Sequence, residues 1–244
     1  MKKLFFILII TSVFFSCKPI IVNHEVKNVT SEALELGNIG LPGRSLLEYK
    51  FRTTAIPKIN TKVRIDIQTT NFNKGKFNTY LKASPENKLG LVYIDSLESK
   101  PQFVELKIID RVGLLNAINN DAEVLNYLKN VQDDIKIISS LSVAVSTNDL
   151  NTIKNTESAF LSYDSELKKH QILIINKNGE ESIINFGNTT AFTYSVSSFC
   201  WQENTKKQIL IADIIESWNS CPSKTYKKAS KANKPEKKVN YFKL

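Results

Sequence analysis

The chain is short of the residues from which reactive centres are usually assembled. Its 244 residues include two histidines, three cysteines, one methionine and eight glycines. With only His24 and His170 available, no His-Glu-x-x-His zinc site can be written, and no Cys-x-x-Cys pair occurs. A Gly-x-Ser-x-Gly nucleophile elbow and a glycine-rich phosphate loop are also missing. Arginine is scarce, with Arg44, Arg52, Arg64 and Arg111 the four present, so bidentate phosphate recognition has few donors. The carboxylates with a formal claim to acid/base work, Asp110, Asp133-Asp134 and Glu180-Glu181, sit where turns and element ends are expected and read as solvated residues. No catalytic residue, metal site or cofactor is assigned from this inventory.

What is present suits a globular domain with extra segments at both ends. At 42% hydrophobic residues the length supports one sizeable core, with about 70% of the unfolded surface buried. The net charge of +9 is not spread along the chain. Residues 17–221 balance 23 bases against 23 acids, whereas residues 222–244 hold eight lysines against Glu236 alone. A nucleic-acid-binding domain carries its excess charge on the fold, because phosphate neutralisation supplies most of its affinity. Nucleic acid is therefore not expected as a partner. The terminal lysines Lys224, Lys227, Lys228, Lys231, Lys234, Lys237 and Lys238 read as a solvated, disordered tail able to contact anionic lipid or glycan.

At the other end, Lys2 and Lys3 precede the apolar run Leu4 to Phe15, twelve residues long. As a helix this run spans about 18 Å, too short for a bilayer core of about 30 Å but suited to an export signal. Val13-Phe14-Phe15-Ser16-Cys17 resembles the lipobox of bacterial lipoproteins, in which a small residue precedes the cysteine that is acylated. Ser16 and Cys17 match that pattern, while Phe14 stands where an aliphatic residue is usual. The resemblance covers residues 1–17 and implies removal of 1–16, lipidation of Cys17 and stable anchoring through two or three acyl chains. Residues 17–56, with scattered Pro and Gly, read as lipidated tether and lead-in. Cys17 is followed by Lys-Pro-Ile-Ile-Val rather than by an acidic cluster resembling a surface-export tag, which points to the outer membrane and its periplasmic side.

From residue 57 to 221 the patterning predicts a single α+β domain, mainly antiparallel β-sheet with two or three packed helices. Val63, Ile65 and Ile67 alternate with polar residues, and Lys76–Ala83, Leu89–Asp95 and Phe103–Asp110 are further strand candidates. Leu115, Ile118, Ala122, Leu125 and Leu128 have helical spacing, with Asn119 or Asn120 as a cap before a second stretch. Ile135–Ser146 is a long apolar and β-branched run. Asn148 is a candidate N-cap for a segment reaching Leu161. Asn178-Gly179, between Ile172–Ile175 and Ser182–Ile184, favours a type I′ hairpin turn. Thr189–Trp201 reads as a strand. In Lys206–Trp218 the residues Ile211, Ile214, Ile215 and Trp218 share a helical face, which predicts a helix.

An exported chain meets an oxidising compartment, and with Cys17 acylated two cysteines remain, so a Cys200–Cys221 disulfide is expected rather than a reactive thiol served by His170. Trp201 and Trp218 flank these cysteines and are expected to fill core beside the bridge, with stacking on a sugar or partner as the alternative. These features together predict a lipid-anchored cell-envelope protein that binds or scaffolds at the membrane, its partners being membrane lipid through Cys17 and an envelope protein. The alternatives are an envelope hydrolase acting on glycan or peptide, and an immunity or inhibitor lipoprotein.

Overall fold

The computed structural model describes residues 20–22, 25–44, 49–131 and 134–232. The lipobox with Cys17, His24, Asp133 and the lysines Lys234, Lys237 and Lys238 lie outside the described residues. In chain order the elements are β1 (Ile20–Val22), β2 (Glu25–Val29), β3 (Ile39–Arg44), β4 (Tyr49–Ala55), β5 (Val63–Asn71), α1 (Lys74–Ala83), β6 (Gln102–Ile108), α2 (Arg111–Asn120) and α3 (Ala122–Asn130). They continue with β7 (Lys136–Ala144), α4 (Thr147–Lys154), β8 (Thr156–Asp164), β9 (Lys169–Asn176), β10 (Glu181–Asn185), β11 (Thr190–Glu203), β12 (Ile209–Glu216) and the short α5 (Ala229–Ala232). The class is α+β, dominated by antiparallel sheet.

The 14-residue β11 is the spine of this sheet. One of its edges pairs with β7 from Thr190 to Ser198. The other pairs first with β2, at Thr193 and Tyr194, and then with β12 from Ser197 to Glu203. Beyond β7 the order runs β6, β5, β8, β9, β10, while β3 joins β7 at Ile137 and carries β4 outside it. The main core gathers Ile39, Val104, Leu106, Leu141, Val143 and Tyr194 from the sheet and Leu36 from the turn before β3 with Leu114, Ile118, Leu125 and Leu128 from α2 and α3. A second cluster is aromatic: Phe72 contacts Phe103, Phe77 and Phe192 at ring-centroid distances of 4.8, 5.5 and 5.6 Å, and Tyr80 closes it from α1.

Several elements differ from the sequence expectation, each for an identifiable reason. Lys76–Ala83 lies in a helix: Asn73 Oδ1 accepts the Lys76 N–H at 2.8 Å, and Phe77 and Tyr80, three apart, both bury into the aromatic cluster. Leu89–Asp95 has no ladder partner, although Leu89, Leu91 and Tyr93 do pack alternately against that cluster. The expected helix over Lys206–Trp218 is the strand β12. Cys200 pairs with Asp213 but Trp201 with Ile211, so Ala212 is a bulge residue. An inserted residue turns a spacing of two into three, which brings Ile211 and Ile214 into one core and imitates a helical face. Residues 148–161 divide into α4, capped by Ser146 instead of Asn148, and β8. Asp121, not Asn119 or Asn120, ends α2 and caps α3.

The β9–β10 hairpin forms as expected, but its turn is not type I′: the Gly179 N–H donates to the Asn176 carbonyl at 2.9 Å, so Lys177 and Asn178 are the central pair and neither has positive φ, while Gly179 (φ +80°) follows them. Asn176 organises the loop through its side chain, Oδ1 accepting the N–H groups of Asn178 and Glu180, both at 2.9 Å. The folded body also reaches further than residues 57–221. The lead-in supplies β1 to β4 and the buried Leu34, Leu36, Ile39 and Phe51. At the far end, Trp201 and Tyr226 exchange backbone hydrogen bonds of 2.7 and 2.9 Å, and Ala229 and Ala232 are buried.

Candidate functional site

Strand β6 shows how the sheet divides into two faces. Val104, Leu106 and Ile108 enter the main core, whereas Phe103 lies in the aromatic cluster, and Glu105 and Lys107 follow it at the two-residue period of a pleated strand. Across the ladder Glu105 stands opposite Ser142 and Lys107 opposite Ser140, and these serines stand opposite Thr193 and Ser195 of β11. One face of three neighbouring strands thus changes from aromatic to hydroxylic and charged within the length of a strand.

Two features sit on that polar stretch. The first is a buried ion pair: Lys27 Nζ of β2, with its side chain 3% exposed, lies 3.3 Å from Glu105 Oε1 and donates to Ser142 Oγ at 3.2 Å. Lys76 of α1 approaches the same carboxylate oxygen at 3.6 Å and lies over the Phe103 ring, 4.6 Å from its centroid. Glu105 Oε1 accepts no hydrogen bond, so charge alone holds it between the two ammonium groups.

The second feature is a small cleft bounded by β6, α2, β7, β11 and the end of β12, with a cavity volume of about 40 Å³. That is room for about three waters. Ile108, Leu114, Val196 and Ile214 make much of its lining apolar, and a bulge adds hydroxyls: Ser195 pairs with Ser140 and Val196 with Ile138, which leaves Ser139 as the extra residue. Bulges re-aim side chains, and here Ser139 Oγ receives the Ser197 hydroxyl at 2.8 Å. Arg111, Glu216 and Trp218 also line the cleft. The two tryptophans singled out in the sequence therefore part company. Trp201 fills core at 4% exposure, as expected, but Trp218 is 49% exposed and is not a core residue.

Cys200 and Cys221 form the expected disulfide. It fastens the start of the basic segment to β11, and Trp201–Tyr226 pairing continues the attachment. Residues up to 232 are consequently folded, not a free tail, and Lys224, Lys227, Lys228 and Lys231 project from them exposed. The carboxylate candidates hold structural positions. Asp110 caps α2 by accepting the Gly113 N–H at 2.8 Å, and Asp134 pairs with Lys136 at 2.7 Å. Glu180 accepts from Asn176, and Glu181 pairs with Lys62 on the surface.

Against known protein families, curated proteins and solved structures, the chain has no match. Among the described residues no helix is long and apolar enough to cross a membrane, and no group of three metal-ligating side chains gathers.

His170, the one histidine in the described residues, is buried away from both features, and its Nε2 bonds to the Pro57 carbonyl at 2.9 Å. The cleft serines and Arg111 were missed because they resemble ordinary strand and helix residues. Their trace in the sequence is period-two serine within apolar strands, Ser140 and Ser142 in β7 and Ser195 and Ser197 in β11.

Proposed function

We propose that the protein is a lipid-anchored domain of the bacterial cell envelope, held at the outer membrane on its periplasmic side, that binds or scaffolds at the membrane surface. The lipobox resemblance at residues 13–17 supports the anchor. The observation that carries the surface-binding part is the mounting of the basic segment. A disulfide, a backbone bridge and two buried alanines hold Lys224, Lys227, Lys228 and Lys231 on the body, so their charge is presented as a patch. The lead-in joins the same long strand: β2 pairs at Tyr194 and Tyr226 at Trp201, seven residues apart, or about 23 Å along β11. The lead-in and the patch thus attach to one strand. Each lysine close to an anionic bilayer contributes at most about 1 kcal/mol, so four add useful but salt-sensitive adhesion to an acyl anchor.

The test uses the full chain. Protein extracted from membranes should lack residues 1–16 and carry added acyl mass, and Cys17→Ser should move to the soluble fraction. With Cys17→Ser protein, vesicles containing anionic lipid should retain more chain than zwitterionic ones, and the quadruple change Lys224→Glu, Lys227→Glu, Lys228→Glu, Lys231→Glu should abolish the difference. An unacylated chain in the membrane fraction, or vesicle binding indifferent to lipid charge, would overturn the respective half of the proposal.

A further inference from the structure

We infer that the cleft beside Trp218 is a glycan-binding site, a role separate from the anchor and the lysine patch and independent of acylation at Cys17. Three observations carry it. The first is the exposed aromatic plate. Trp218 leaves about half its surface in water while the other tryptophan is buried, and its backbone is already fixed. The Asn219 N–H donates to the Glu216 carbonyl at 2.9 Å, closing the turn around Trp218, with β12 ahead of it and the bridged Cys221 three residues behind. A backbone fixed in this way leaves only the rotamers of the indole to be ordered on contact.

The second is a pair of linked hydroxyls. Ser197 donates to Ser139 Oγ at 2.8 Å and Ser139 in turn to the Ser195 carbonyl at 3.5 Å, so the two offer acceptor lone pairs, and the bulge that places Ser139 there serves no pairing in the sheet. The third is the rim, where Arg111 at the first position of α2 offers a fork of donors and Glu216 at the end of β12 offers acceptors.

A pyranose ring has the matching anatomy, with an apolar C–H face suited to an indole and a perimeter of hydroxyls that donate and accept. The competing ligands fit less well. A bare phosphate makes no use of the indole, and an apolar molecule makes none of the Arg111 donors and Glu216 acceptors at the rim. A protein partner of ordinary affinity covers about 800 Å² on each side, much more than this small concave cleft presents. With room for little more than water inside it, the cleft suits a chain lying across its mouth rather than an engulfed small molecule.

Tryptophan emission of the detergent-solubilised full chain reads the contact directly, because Trp201 is buried and Trp218 reports the cleft. The probes are muramidase-released cell-wall glycan and a neutral hexose hexamer. Saturable blue-shifted emission with at least one of them is expected. Followed by calorimetry, Trp218→Ala should weaken binding about tenfold, whereas Trp218→Tyr should stay within about threefold of wild type. Arg111→Ala, at an exposed position outside the core, should weaken binding severalfold, so the inference does not hang on one variant. No saturable change with either glycan overturns it, as does undiminished binding by Trp218→Ala or Arg111→Ala. Recovery of a protein partner that requires Trp218, with both glycans silent, would likewise reassign the cleft.

Discussion

His170 is 1% exposed, and its imidazole is held between Pro57 and the backbone around Gly37. Gly37 has φ +86°, and a Cβ there would lie 2.9 Å from Leu161 Cδ2 and 3.1 Å from His170 Cε1, so only glycine suits the position. Nδ1 has no hydrogen-bond partner. Burial pushes the imidazole pKa from 6.5 down to about 4, only partly offset by the Pro57 and Leu36 backbone. The unfolded chain therefore binds a proton between these values that the native state refuses. Stability from this group is complete above about pH 6.5 and is lost as pH falls towards 4, in total about 3 kcal/mol. The charged groups nearby are Glu35, whose Oε2 accepts the His170 N–H at 3.1 Å, and Lys169 beside it, with the Tyr163 ring packed edge-on. Burial raises the Glu35 pKa above 4.5, so its contribution runs the other way, present at low pH and lost as pH rises. Urea midpoints measured from pH 7 to 4 should fall steeply for the native chain and less steeply for His170→Gln. Equal slopes would remove His170 as the cause.

At the scale of elements, the fold depends on side chains that finish backbone pairing where strands run out. Asn119 of α2 accepts the Ile211 N–H at 3.0 Å and donates to the Ile211 carbonyl at 2.9 Å, standing in for a neighbouring strand on the free edge of β12. The disulfide acts in the same region. It joins residues 21 apart and encloses β12, a loop for which cross-linking is worth about 3 kcal/mol in the chain-entropy account. Reduction, or Cys221→Ser, should lower stability by about that amount. Hydrogen exchange should localise the loss: the Trp201 and Tyr226 amides, bonded to each other's carbonyls, should exchange faster, while the Val104–Val143 ladder of β6 and β7 stays protected. Uniform loss across both regions would mean that the bridge supports the whole sheet and not its last strand.

For the whole molecule, the lead-in is a structural part of the body rather than a spacer. Leu34, Leu36, Ile39 and Phe51 are each at most 3% exposed. At about 1.5–3 kcal/mol for each fully buried side chain they contribute on the order of 6–12 kcal/mol, comparable with the entire stability of a typical domain. A fragment starting at residue 57 should therefore fail to fold, by circular dichroism and amide dispersion, while one starting at residue 25 should fold. A folded fragment from residue 57 would show the main core to be self-sufficient.

The sequence by itself determined the features that rest on local chemistry or spacing. These are the α+β class, the strands at Val63–Ile67 and Phe103–Ile108, the helical stretch from Leu115 to Leu128, the β9–β10 hairpin and the Cys200–Cys221 bridge. The remainder depends on what each segment meets. A bulge at Ala212 makes a strand look helical, because one unpaired residue shifts the alternation. Tyr93 and its alternating neighbours form no strand, because the aromatic cluster accepts their side chains without a backbone partner. The cleft was invisible for the same reason: Arg111, Ser139, Ser197 and Glu216 come from four elements and Trp218 from the turn after the last of them. Only the long-range pairing of β7, β11 and β12 brings them together, and that pairing is encoded in no local window of the chain.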